Sequence, residues 1–248
     1  MKFNKIEPKY ILKSNPRIGL ITLGSDFRIE KDFNNVVYGK DIDLYVNRIH
    51  CYNPLTNEAL VKMAEDITDV TKDILPDQKI DCVAYGCTSG TIAAGYDTIK
   101  SRINSAKPDA KVTTPITSAI KALRKLSIKK ISIFTPYTKT INDSVVSYFN
   151  NENIMINSLT YFDIASDLDI GKVDENYLFE VLSKIDLKDS DALFVSCTAL
   201  PVLSIIDRLE KKLNKIVLSS NQTLIWEALN LIGNKKKIVG FGKIFEIN

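Results

Sequence analysis

The stretch Ile80–Thr91, IDCVAYGCTSGT, decides how the rest of the chain is read, because Ser190–Leu200, SDALFVSCTAL, repeats its plan. Each copy has an acid, an apolar run with the character of a buried parallel strand, and a Cys-Thr pair where strand should give way to helix. The repeat predicts two similar α/β halves, each delivering one cysteine, Cys87 or Cys197, from the carboxyl end of a central strand. Open α/β sheets place their chemistry at such strand ends, so the two thiols are expected to share one small site. The free N–H groups and dipole of a helix start would favour a thiolate or a bound carboxylate beside each cysteine. Buried cysteine also serves as a small hydrophobe. Cys82, inside the first strand, is read that way, and Cys51, after His50 in an Asn-Pro loop, is read as incidental.

Working outward, Arg17–Leu23 reads as the first buried strand, and the loop Gly24-Ser25-Asp26-Phe27 at its carboxyl end is a natural place for side chains aimed at a ligand. That loop is no dinucleotide fingerprint, because GxGxxG is absent. Asp43–Ile49 is a second strand, and Asn57–Val70 a helix with Leu60, Met63, Ile67 and Val70 on one face. A helix Thr91–Ile103, a strand Lys111–Thr114 and a helix admitted by Pro115 follow. The second half alternates regularly: helix Ser118–Leu126, strand Lys130–Phe134, helix Lys139–Asn150, strand Ile154–Thr160, helix Glu175–Ile185, strand Ala192–Ser196, helix Pro201–Leu213 and strand Lys215–Leu218. Ser220 or Asn221 is expected to cap the helix carrying Trp226. A last strand around Ile238 is expected to return to the first half. This alternation predicts parallel sheets with helices on both faces, the halves comprising residues 1–116 with 222–248, and residues 117–221. The acidic loop Thr160–Glu175 breaks the rhythm, and its length suits a site-covering role.

The 248 residues, 45% apolar and 25% charged, suit an ordinary globular chain rather than a disordered or membrane-embedded one. The net charge is +3, and the lysine runs at 129–130 and 235–237 flank strands without an aromatic-rich binding module, so no nucleic-acid partner is expected. The polar stretch 1–16 reads as an arm. It lacks an apolar signal core, and no run reaches the ~18 apolar residues of a membrane span. Free thiols suit a reducing cytoplasm. No metal is expected: the single histidine, His50, has no evident partner, and the acids are not spaced as ligands.

Paired thiols suit two chemistries. One thiol can act as base while the other donates a proton from the opposite side, as racemisation at a carbon acid requires. Alternatively, a thiolate can add to a double bond, allow rotation, and be eliminated. Thr88, Ser89 and Thr91 beside Cys87, and Thr198 beside Cys197, offer hydroxyl and backbone donors to a substrate carboxylate and its developing enolate charge. Tyr137, after Thr135-Pro136 at the end of another strand, is a further candidate donor.

RIGLITLGSDFRIEKDF, LPDQKIDCVAYGCTSGT, TPITSAIKAL, ISIFTPYT, DALFVSCTALP and SSNQTLIW together resemble, in order, the aspartate/glutamate racemase superfamily. More narrowly they are similar to its branch with maleate cis-trans isomerase, arylmalonate decarboxylase and the ectoine-utilisation protein EutA. The resemblance implies two pseudo-symmetric Rossmann-like halves, a site between them, no cofactor and a homo-oligomer. It assigns Cys87 as nucleophile or base of the first half and Cys197 as its counterpart, with Tyr137 matching a substrate-contacting tyrosine. Arylmalonate decarboxylase keeps only the second-half cysteine, so two cysteines favour isomerase or racemase chemistry. Asp26 and Asp167 stand where maleate isomerases carry asparagines. An ionised aspartate only accepts hydrogen bonds and repels a dicarboxylate. The preferred expectation is therefore a EutA-like cysteine-pair racemase or isomerase of a small amino- or acylamino-carboxylate. Maleate-to-fumarate isomerisation is the alternative, followed by a related lyase or decarboxylase or a non-catalytic binding protein.

Overall fold

Eight apolar runs form two four-stranded, wholly parallel sheets with the same internal order. The first half runs β1 (Arg17–Leu23), α1 (Ile29–Val37), β2 (Asp43–Ile49), α2 (Asn57–Met63), α3 (Ile67–Lys72), β3 (Cys82–Gly86), α4 (Thr88–Ala94), α5 (Tyr96–Ala106) and β4 (Lys111–Thr113). The second runs α6 (Pro115–Lys125), β5 (Lys130–Thr135), α7 (Lys139–Asn151), β6 (Met155–Tyr161), α8 (Asp167–Gly171), α9 (Glu175–Leu182), β7 (Ala192–Val195), α10 (Ile206–Leu213), β8 (Ile216–Ser219) and α11 (Ser220–Leu231). This computed structural model describes residues 1–11 and 14–247. The part of the expected amino-terminal arm at Leu12 and Lys13 lies outside the described residues, and residues 1–11 are exposed.

The sheets are ordered β2-β1-β3-β4 and β6-β5-β7-β8. The third strand of each half, β3 or β7, is central and wholly buried. Such strands are covered on both faces and so read as unbroken apolar runs. The edge strands β2 and β6 are only half-buried, which is why they alternate. Phe149 and Phe194 meet edge-to-face at 5.3 Å in the core of the second half. The final long helix, α11, packs on α6, α1, β3, β4 and β8, and is buried from Ser220 to Leu229.

Several local expectations are corrected. The helix of residues 57–70 is interrupted by a 3₁₀ turn at Ala64–Asp66, although its stripe of Leu60, Met63 and Ile67 is buried as the periodicity requires. The helix after Cys87 begins earlier, at Thr88, and is broken at Gly95, whose φ of +83° lies where non-glycine residues are strained. No helix starts at Thr198. Pro201 disfavours helical geometry at Leu200, and helical structure begins only with a 3₁₀ turn at Leu203–Ile205. Among the described residues no strand forms around Ile238, whose N–H donates to the Phe245 carbonyl at 3.0 Å in a folded-back loop. Helix α1 was not anticipated, yet Ile29, Phe33, Val36 and Val37 are buried at helical spacing.

The cap of α11 is Ser219, not Ser220 or Asn221. Its side chain accepts from the Gln222 N–H while the Gln222 side chain accepts from the Ser219 N–H, a reciprocal capping box. Ser219→Ala is expected to lower stability by about 1–2 kcal/mol, measured by denaturant unfolding. An unchanged midpoint would mean that the box contributes nothing.

Candidate functional site

Equal strand order places the two cysteines equivalently, Cys87 directly after β3 and one residue separating Cys197 from β7. Cys87 is the N-cap of α4: its backbone is extended, and its Sγ accepts from the Gly90 N–H at 3.2 Å. The Ser89 hydroxyl lies 3.9 Å from the same sulfur. Burial pushes the Cys87 thiol up to about 12, the Gly90 N–H opposing the rise and the charges of Asp167 and Cys51 adding to it. Cys197 has a φ of +96°, unusual for a non-glycine residue. Burial also carries its thiol well above the ordinary range, Asp167 and Asp26 reinforcing the effect and the Ala199 N–H and Tyr137 opposing it. In the resting protein both sulfurs are therefore neutral thiols.

A single hydroxyl from α11 joins the two motifs. Ser220 Oγ accepts from the Thr88 hydroxyl at 2.9 Å and from the Cys197 N–H at 3.0 Å. The Thr198 hydroxyl donates across to the Gly86 carbonyl at 3.3 Å. Asn221 Nδ2 donates to the Thr198 carbonyl and to Asp32 Oδ2, both at 2.8 Å. The two cysteine turns are thus held together rather than merely facing each other across solvent. Tyr137 is buried, its Oη accepting from Ser196 at 3.4 Å. Burial and then the Cys197 charge raise its pKa, with Cys87 adding a smaller push, so the phenol stays protonated as a donor.

Asp26 and Asp167 are both brought to this site. Asp26 Oδ1 accepts from the N–H groups of Arg28 and Ile29 at 2.7 and 3.1 Å, holding the turn that begins α1. Burial raises its pKa despite these bonds, the Thr198 hydroxyl and the charge of Arg48. Asp167 accepts from the Ser25 hydroxyl at 2.5 Å, while its N–H donates to Asn53 Oδ1 at 3.2 Å. Burial lifts it to about 6, Ser25 opposing and the nearby Asp26 charge adding. Asp32, joined through Asn221, is likewise lifted to about 7 by burial, against the Asn221 bond and with Asp26 adding. All eight expected site residues, Asp26, Cys87, Thr88, Ser89, Tyr137, Asp167, Cys197 and Thr198, are buried around this junction.

The acidic loop is tied to the first half. The Leu55 N–H donates to the Ala165 carbonyl at 2.9 Å, and the Arg28 guanidinium donates twice to the Gly171 carbonyl, at 3.0 and 2.8 Å. Its short helix, α8, carries Asp167 and is pinned by these bonds to two loops of the first half. The connectors that the sequence reading did not single out are Asn53, Ser220 and Asn221, and Ser25 appeared there only within its strand-end loop. Asn53 Nδ2 lies 4.0 Å from Cys51 Sγ, and burial raises the Cys51 pKa, opposed by Ser25 and reinforced by Asp167 and Asp26. Ser220 and Asn221 had been noticed only as helix caps. His50 is exposed against Tyr52, ring centroids 4.5 Å apart.

Two repeated parallel halves, each supplying a cysteine from the same strand end, define an α/β protein of the aspartate/glutamate racemase type. The sequence profile of the arylmalonate decarboxylase family matches residues 48–245, and the chain belongs to that family. A maleate isomerase of Geobacillus stearothermophilus is 26% identical over 198 residues, 77% of this chain and 78% of that one. The solved maleate isomerase of Pseudomonas putida S16 superposes with a TM-score of 0.85 at 21% identity, over 94% of this chain and 99% of that one. A cysteine-to-serine variant of the Nocardia farcinica maleate cis-trans isomerase, solved with a covalently bound succinylcysteine intermediate, gives 0.86 at 18% identity, over 94% and 99%. Among the described residues no helix is long and apolar enough to cross a membrane.

Two substitutions test the contacts that join the halves. A Cβ on Gly171 would stand 2.6 Å from the Phe27 ring, so Gly171→Ala is expected to loosen α8 and speed proteolysis within residues 160–175. Ser220→Ala removes the shared acceptor and is expected to cost about 1–3 kcal/mol in stability, because two buried donors lose their partner, with denaturant unfolding as the measurement. An unchanged proteolysis rate, or an unchanged midpoint, would contradict the corresponding contact.

Proposed function

We propose that this protein is a cofactor-independent cis-trans isomerase of a small unsaturated dicarboxylate, with maleate-to-fumarate conversion as its reaction. The observation that carries this reading is the placement of Cys87 and Cys197 at equivalent strand ends around the Ser220 junction. The kinship with maleate isomerases supports it over the EutA-like racemase expected from the two aspartates. A decarboxylase is a weaker reading, because that chemistry needs one cysteine and this site buries two.

The Cys87 thiolate, its proton released to solvent as the cycle is primed, adds to one alkene carbon. A C–S bond forms, and the π pair moves into the neighbouring carboxylate as an enediolate. The Cys197 thiol protonates the adjacent carbon, leaving a succinyl thioether whose central bond is single and free to rotate. Cys197, now a thiolate, removes that proton again, the pair re-forms the double bond in the trans arrangement, and the C–S bond breaks to return the Cys87 thiolate. No atom is gained or lost. The succinylcysteine held by the Nocardia enzyme has the composition of this thioether. Tyr137, Ser89 and the N–H groups opening α4 are the donors for the substrate carboxylates and the enediolate charge.

The test is proton NMR with maleate. Conversion to fumarate is expected from the native protein, with at least ~100-fold loss in Cys87→Ser and Cys197→Ser, since each substitution removes a reacting group. Full activity in either variant would sink the paired-thiol mechanism. No turnover of maleate by the native protein would sink the substrate assignment.

The acids set a pH dependence. Asp167, lifted to about 6, is a carboxylate above that pH and neutral below it, so a dianionic substrate meets less like charge as pH falls. The KM for maleate is expected to fall as pH drops through about 6. Asp167→Asn should lower KM at pH 8 by roughly tenfold and remove Asp167's share of the slope, leaving the substrate's own titration and those of Asp26 and Asp32. Superimposable KM profiles for the two proteins would rule out that repulsion.

A further inference from the structure

Tyr85 belongs to none of the roles above, yet its hydroxyl is a polar group deep in the protein with no hydrogen bond among the described residues. The side chain is fully buried. Buried polar atoms are almost always paired, so an idle one calls for a reason. Tyr85 precedes Cys87 by two residues at the end of β3, and the period of a strand turns both side chains to one face.

The first turn of α4 brings the two groups to one point. A Cβ on Gly90 would meet Cys87 Sγ at 2.8 Å, Tyr85 Oη at 3.0 Å and Met63 Cε at 3.1 Å. Sulfur and phenol therefore border the same small space, which Met63 closes with apolar surface and which exists because residue 90 has no side chain. A neutral thiol is a weak acceptor and gives the phenol little to bond. A thiolate is a strong one, and among the described residues its other donors are the Gly90 N–H at 3.2 Å and the Ser89 hydroxyl at 3.9 Å.

We infer that Tyr85 is a positioning residue for the nucleophile, its hydroxyl donating to Cys87 Sγ once the thiol has lost its proton. A donor that already borders the sulfur needs only a small movement to meet the charge when it develops. The phenol is held protonated for this purpose, because burial, and then any charge on Cys87, keeps its own pKa well above the ordinary range. The inference rests on the reading of Cys87 as the attacking thiol.

The test measures the thiolate directly. Native protein and Tyr85→Phe are treated with iodoacetamide between pH 7 and 10, and alkylation of each cysteine is followed by peptide mass mapping. Below the midpoint of a thiol the rate follows its thiolate fraction. Tyr85→Phe is expected to slow Cys87 by about tenfold at every pH, as a lost charge-assisted hydrogen bond implies, and to leave Cys197 unchanged. The thermal midpoint should stay level or rise, because the hydroxyl removed has no partner in the resting state. Gly90→Ala, whose methyl would wedge between sulfur and phenol, should slow Cys87 selectively as well. With maleate, Tyr85→Phe should lower kcat and leave KM within about twofold, the pattern of an interaction made only during reaction. Superimposed Cys87 profiles would overturn the inference. So would an equal change in both cysteines, which reports altered access through opening of the fold, or a lowered midpoint in Tyr85→Phe, which reports a structural partner for the hydroxyl. Full isomerisation by Cys87→Ser would instead defeat the functional reading and leave the alkylation comparison standing.

Discussion

One serine oxygen holds the two halves in register. Ser220 Oγ accepts a hydrogen bond from the Thr88 hydroxyl and another from the Cys197 N–H, at 2.9 and 3.0 Å, and it comes from α11, the helix buried against both sheets. The sheets each supply a strand end, but parallel strands alone cannot set the distance between two turns that belong to different sheets. The shared acceptor does so, and Thr198 and Asn221 repeat the link on either side. In a low-dielectric interior such bonds are costly to break, so the thiols are placed by a network rather than by the flexibility of two loops.

The same burial that fixes the thiols makes them reluctant acids. Cys87 has the features that usually depress a thiol: an N-cap position, a backbone N–H on its sulfur and a neighbouring hydroxyl. Desolvation outweighs them, and the charge of Asp167 nearby works in the same direction. From the motif alone one would expect a lowered pKa; from the packing, a raised one. The site keeps donors on the sulfur, the Gly90 N–H and the Ser89 hydroxyl, that bind a thiolate more strongly than a thiol.

The cysteine repeat, the alternation of strand and helix, and Thr198 and Tyr137 as strand-end residues were legible because each depends on local pattern, whereas Asp26 and Asp167 were paired only through the family resemblance. What escaped depends on partners remote in sequence. Ser220 reads as a cap until Thr88 and Cys197 are seen against it, and the true cap, Ser219, is recognised only when Gln222 folds back. Cys51 reads as a loop residue until α8, with Asp167 at its start, closes beside it. The missed helix α1 is different, since Ile29, Phe33, Val36 and Val37 carried its period in plain view. The helix read from Pro201 to Leu213 forms, but later than expected, as a 3₁₀ turn at Leu203–Ile205 leading into α10, and the proline at position 201 made the delay visible beforehand.

The protonated, enclosed state of both thiols has a consequence for the life of the protein rather than for its turnover. Peroxides and other oxidants react with exposed thiolates, and the resting site offers them neither charge nor access. Cys51, only half-buried at the rim, is the sulfur they would reach first. A pair of cysteines so enclosed is thus shielded from oxidants by the same desolvation that raises the pKa of each.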